Sequence, residues 1–113
     1  MTTLYGIPNC DTVKKARNWL DEHNVDYQFH DFRKDGLSQS TIENWLEELA
    51  WDKVVNKRST TWRSLSEETK SAMNSSLAVQ EILKQTTLVK RPVLESGDIL
   101  LIGFNEATWK EQL

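Results

Sequence analysis

Hydrophobic and polar positions alternate or recur along the chain in a way that divides it into short elements. Residues 2–7 carry Leu4, Tyr5 and Ile7 and read as a strand that ends at Pro8 and Asn9. From Asp11 to about His23, Val13, Ala16 and Leu20 fall on one helical face with Trp19 alongside, and Asn24 ends that helix. Tyr27 to Phe32 is rich in β formers and predicts a second strand, and Arg33-Lys34-Asp35-Gly36 is turn chemistry. Ser38 is placed to cap the next helix. Leu37 and Ile42 are spaced as a hydrophobic staple around it, and Ile42, Trp45, Leu46 and Leu49 keep helical spacing. Residues 52–64 are basic and fit neither period. Ser66-Glu67-Glu68 opens a further helix, with acids where the helix dipole favours them. Another helix starts at Ser75 or Ser76 and runs to about Gln85, with Ala78, Ile82 and Leu83 expected inward. Pro92-Val93-Leu94 and Ile99 to Ile102, joined across Ser96-Gly97-Asp98, predict a hairpin, and Asn105 to Gln112 a closing helix. Two strands joined through a crossover helix run parallel, whereas hairpin strands run antiparallel. The expectation is an α/β fold with a mixed sheet and helices on both faces.

Composition narrows the class. A chain of 113 residues is one domain's length, and 38% hydrophobic with 27% charged residues describes a soluble globular protein. The net charge of −3 lacks the positive excess of a dedicated nucleic-acid binder. The five tryptophans are expected in the core. Ile99 to Ile102 is the longest aliphatic run, far short of the ~20 residues a spanning helix needs. Residues 1–9 contain no basic cluster and no long apolar stretch, so neither a signal nor a transit peptide is visible. A single cysteine cannot form an internal disulfide, and the expected compartment is the reducing cytoplasm.

That cysteine, Cys10, follows a strand, lies in the turn Pro8-Asn9-Cys10 and immediately precedes a helix. A thiol there faces unpaired helical N–H groups and the positive end of the helix dipole, which favour thiolate. Lys14 and Lys15 add positive potential one turn on, while the neighbouring Asp11 works against it. Val13 stands where a C-x-x-C pair would place its second thiol. Redox turnover therefore needs an external thiol, for which glutathione is the abundant cytoplasmic candidate.

Two stretches favour anions. Lys53, Lys57, Arg58 and Arg63 follow one another with no acid after Asp52, and Lys84, Lys90 and Arg91 form a second acid-free run. Solvated surface charge is the default account of such runs. Arg91-Pro92 is more specific: Pro92 opens a strand, an X-Pro bond there can be cis, and an arginine fork binds two oxygens of an oxyanion at once. His23 and His30 show no metal-ligand spacing with one cysteine and read as surface residues. Glu47-Glu48 reads as a solvated face, and no glycine-rich phosphate loop is present.

Together, Tyr5-Gly6-Ile7-Pro8-Asn9-Cys10-Asp11-Thr12-Val13-Lys14-Lys15-Ala16, Asn56-Lys57-Arg58-Ser59-Thr60-Thr61-Trp62-Arg63, Arg91-Pro92-Val93 and Gly103-Phe104-Asn105-Glu106 resemble the arsenate reductase/Spx family, in particular its single-cysteine YffB-like branch. The resemblance spans essentially the whole chain. It implies a single thioredoxin-like domain over residues 1–113: a mixed four-stranded sheet flanked by helices, with a helical insertion between strands 2 and 3 at about 52–86. It also implies a cis bond before Pro92, with Cys10 as nucleophile and Arg58 and Arg91 near it. Glutaredoxin-coupled arsenate reductases of the family use three arginines. Lys57-Arg58 and Arg91 supply two of those positions, and the third falls near Gly103, which carries no charge. Spx-type regulators bind RNA polymerase and commonly carry a C-x-x-C switch, which Val13 removes here.

The expectation is a cytoplasmic, monomeric thiol oxidoreductase with glutathione as co-substrate, no bound cofactor and no metal. Cys10 is the expected nucleophile, and Asn9, Thr12, Lys57, Arg58, Arg91 and Pro92 are expected to bind glutathione or a small anionic or disulfide substrate. Thr12 would assist where its hydroxyl points inward. The alternatives are an Spx-like adaptor that binds RNA polymerase without catalysis and a weak arsenate reductase. A protein partner fits the first of these; neither nucleic acid nor membrane is expected as a partner.

Overall fold

The computed structural model describes residues 1–113. The chain runs through β1 (Thr2–Gly6), α1 (Asp11–Glu22) and β2 (Gln28–Asp31), then α2 (Phe32–Asp35), α3 (Gln39–Glu48), α4 (Trp51–Val54), α5 (Thr60–Arg63), α6 (Glu67–Ser71) and α7 (Ser75–Lys84). A 3-10 turn (Thr86–Leu88), β3 (Val93–Ser96), β4 (Ile99–Ile102) and α8 (Glu106–Gln112) complete it. Two compact units result: a sheet unit of Met1–Asp35 with Arg91–Leu113, and a helical unit of Gly36–Lys90. The helical unit contains residues 52–86, and within it α3 packs on α7.

In the sheet unit the strand order is β2-β1-β3-β4. β1 pairs parallel to β2 and antiparallel to β3, and β3 pairs antiparallel to β4, as the crossover helix and the hairpin require. Ser96 pairs with Ile99, leaving Gly97-Asp98 as the turn, and Gly97 takes the positive φ (57°) that such a turn needs. Leu4 and Leu94 are register partners on one face, and both are fully buried in a cluster with Ala16, Trp19 and Leu20 of α1 and Trp109 of α8. Each such leucine contributes about 1.5–3 kcal/mol by leaving water. Helix α1 ends as its sequence signals: Asn24 adopts φ 56°, and the Val25 N–H donates to the Leu20 carbonyl at 3.0 Å.

The second strand stops earlier than its β formers suggest. The Asp31 carboxylate accepts from the backbone N–H groups of Arg33 (2.8 Å) and Lys34 (3.3 Å), which starts a single helical turn. Phe32 is thereby buried, at 2% exposure, as the first residue of α2 rather than the last of a strand.

The helical unit is built on side-chain caps. Ser38, Ser59, Ser66 and Asn74 each accept a backbone N–H three residues on, starting α3, α5, α6 and α7. These caps explain why helical turns form in a stretch with little periodicity, since one cap contributes about 1 kcal/mol. Ile42, Trp45, Ala78 and Ile82 are fully buried, but Leu83, expected inward, is 42% exposed. Ala78 and Ile82 stand one turn apart on the buried face, and residue 83 is rotated about 100° beyond it. Val55 bridges Val89, and the bonds Asn56 N–H to Leu88 O and Lys90 N–H to Val54 O tie residues 54–56 to residues 88–90. No helix of the chain is long and apolar enough to cross a membrane.

Candidate thiol site

The strand-to-helix junction is where the sequence places its chemistry. β1 ends at Gly6, Ile7 is buried, and Pro8-Asn9 forms an exposed turn. Cys10 is the N-cap of α1 in an extended conformation (φ −101°, ψ 125°), and its carbonyl accepts from the Lys14 N–H at 2.9 Å. This is the first intrahelical bond, so the N–H groups of Asp11, Thr12 and Val13 have no helical acceptor. No side chain caps them. The Cys10 thiol is free and partly exposed at this electropositive end. Thr12 is exposed on the first turn. Asn9 is likewise exposed.

Arg91-Pro92 belongs to the same unit, and its peptide bond is cis. Pro92 is buried, and its carbonyl accepts from the Gly103 N–H at 2.8 Å, fixing the entry of β3 against the end of β4. Arg91 is half-exposed and takes no part in the ion pairs Lys70–Glu67 and Lys84–Glu81. Gly103 holds φ 77°, and its carbonyl accepts from the Trp109 indole at 3.3 Å.

Lys57 and Arg58 lie in the helical unit. Asn56 organises their loop: its Oδ1 accepts from the Arg58 N–H at 3.0 Å, and its carbonyl accepts from the Ser59 hydroxyl at 2.7 Å. The Arg58 side chain is exposed. The Lys57 ammonium sits 4.9 Å from the ring centroid of Trp51, which stacks on Trp62 at 6.0 Å. Lys57 is therefore already engaged in a cation–π contact. Trp51 and Trp62 are half-exposed, whereas Trp19, Trp45 and Trp109 form core, so the core expectation holds for three of the five.

One cluster escaped the sequence reading. Tyr5 is buried, donates its hydroxyl to Glu95 at 2.7 Å, and lies against the His30 ring at 4.8 Å. Burial pushes the Tyr5 hydroxyl well above its ordinary value, and the bond to Glu95 and its charge act in the same direction. His30 is half-buried on this sheet face rather than a surface residue. The alternation of β1 carries the signal for Tyr5, but its pairing with a residue 90 positions away depends on register. His23 is exposed as expected, stacked on Trp19 at 4.0 Å with its Nδ1 2.8 Å from the Trp19 carbonyl.

A sequence profile of the ArsC family matches residues 5–112. The chain belongs to the ArsC family. Its structure is similar to that of the YffB protein, with 41% identity and a TM-score of 0.94, covering 98% of this chain and 97% of that one. It is also similar to an arsenate reductase (ArsC) related protein from Brucella melitensis, with 43% identity and a TM-score of 0.79 over 97% of this chain and 92% of that one. The global transcriptional regulator Spx of Listeria innocua is 32% identical over 94% of this chain and 82% of its own length. This ArsC-family chain has the mixed four-stranded, helix-flanked thioredoxin-like architecture implied by its sequence resemblance.

Proposed function

We propose that this ArsC-family protein is a glutathione-dependent thiol oxidoreductase that works through Cys10 alone. The observation that carries the reading is the free, partly exposed thiol at the uncapped start of α1. The Cys10 thiolate attacks a substrate disulfide R–S–S–R′, forming Cys10–S–S–R and expelling the R′ thiolate. The thiolate of glutathione then attacks the R sulfur, giving the R–S–S–glutathione disulfide and returning Cys10 as thiolate. Glutathione supplies the reducing electrons, because Val13 leaves no resolving thiol one turn away. Arg91, engaged in no ion pair, is the proposed carboxylate ligand in the sheet unit. Arg58 is proposed as an anion ligand of the helical unit, with Lys57 less available because Trp51 holds its ammonium.

Incubation with oxidised glutathione followed by intact mass measurement tests this. A single glutathionyl adduct, lost in Cys10→Ser, is expected; an unmodified native chain overturns the reading.

A second reading, a regulatory adaptor acting through a protein partner, is favoured by the identity to the Listeria regulator. It predicts that Cys10→Ser leaves the biological effect intact while charge reversal at Arg58 abolishes it.

A further inference from the structure

Gly6 ends β1 four residues before the thiol, and Val13 lies three residues after it, on the first turn of α1. Both are buried, Val13 completely. A Cβ built on Gly6 would stand 2.8 Å from Val13 Cγ2, 3.2 Å from Cγ1 and 3.6 Å from Cβ. The first distance is well inside the normal 3.5–4.0 Å separation of carbon atoms. Gly6, unlike Gly36, Gly97 and Gly103, does not use a positive φ. Its backbone would accept alanine, and only the space is denied. The absence of a side chain at residue 6 lets the start of α1 sit directly on the strand, with the two Val13 methyl groups filling the place of the missing Cβ.

We infer that Gly6 and Val13 are positioning residues for Cys10: their contact seats the first turn of α1 on β1 and so sets where the thiol lies relative to the free N–H groups of that turn. The inference rests on the reading of Cys10 as the reacting thiol. It also gives position 13 a reason to be an aliphatic residue, since the side chain there is a packing element directed at the strand and not at solvent.

The test is a steric complementation cycle of Gly6→Ala, Val13→Ala and the double variant. Alanine at both positions removes the two methyl groups that collide and leaves the 3.6 Å contact, which is ordinary packing. Two readouts are followed: the amide resonances of residues 10–13, which report position, and the pH profile of iodoacetamide alkylation of Cys10. Gly6→Ala is expected to shift those resonances and slow alkylation at pH 7 by roughly fivefold, the scale of a misaligned helix terminus. The double variant is expected to return both readouts to those of Val13→Ala.

A Gly6→Ala protein with native resonances and a native profile overturns the inference. So does a double variant that stays displaced or fails to fold, since the collision would then not be the cause. Should Gly6→Ala itself fail to fold, recovery of fold and profile in the double variant supports the contact. If native Cys10 resists both iodoacetamide and oxidised glutathione, the proposed function fails, while the resonances still decide the positioning role.

Discussion

Removing the indole of Trp109 tests how the sheet unit is held together. Trp109 is the only buried residue of α8, at 1% exposure. It meets Trp19 edge-on at 5.8 Å and 86° and Phe104 at 4.9 Å and 88°, and it donates to the Gly103 carbonyl. Replacing such a residue by alanine costs about 3–5 kcal/mol. A chain of 113 residues is stable by roughly 0.05–0.15 kcal/mol per residue, on the order of 6–17 kcal/mol. With a urea slope of about 1.5 kcal/mol/M, the midpoint of Trp109→Ala should fall by about 2–3 M. Helix α8 has seven residues, too few to persist without docking, so the native far-UV signal should also lose helix. Trp109→Phe keeps an aromatic ring and loses the bond to Gly103, for which about 1–2 kcal/mol is expected. Urea titrations of the three proteins, followed by circular dichroism, make the comparison. A loss below about 1 kcal/mol in Trp109→Ala, or equal losses in the two variants, would refute the argument that ring packing anchors this helix.

Arg91→Ala should raise the glutathione KM by roughly tenfold to a hundredfold, the equivalent of one charged hydrogen bond, with kcat little changed; steady-state kinetics decide it, and an unchanged KM removes Arg91 from the site. The raised Tyr5 hydroxyl favours the folded state fully below the unfolded phenol value of about 10 and progressively less as pH climbs above it. Tyr5→Phe should therefore flatten the alkaline limb of a stability-versus-pH curve above about pH 10, and an equally steep limb would contradict the assignment. Asn74→Ala removes the cap of α7 and should lower stability by about 1 kcal/mol in urea denaturation, with Asn74→Ser or Asn74→Asp near native.

The parts of this structure legible in the sequence are those encoded by local chemistry. The strand–Cys10–helix junction, the Asn24 stop, the Ser38 and Ser66 starts and the Gly97-Asp98 turn all depend on neighbours within a few positions. The misreadings come from competition that composition does not display. Phe32 has strong β propensity, yet the Asp31 carboxylate takes two backbone N–H groups and turns the chain. Leu83 is apolar, but its helix face is fixed by Ala78 and Ile82. Lys57 and Arg58 look equivalent in the sequence and differ because Trp51 stands under one ammonium. Near the thiol, the strand-to-helix placement of Cys10 and the cis bond before Pro92 match the reading. The exposure of Thr12 and the Gly6–Val13 contact are properties of packing, beyond what spacing conveys.

The central strands β1 and β3 are neighbours in the sheet although the helical unit of residues 36–90 separates them in sequence. During synthesis, β1 therefore waits with one edge unpaired until residues 93–96 emerge, after the whole helical unit of residues 36–90 has been made. A chain arrested ahead of Arg91 would leave Leu4 without Leu94 and Trp109, and Tyr5 without Glu95, on a two-stranded remnant. The sheet unit is thus completed only once residues 91–113 have been made.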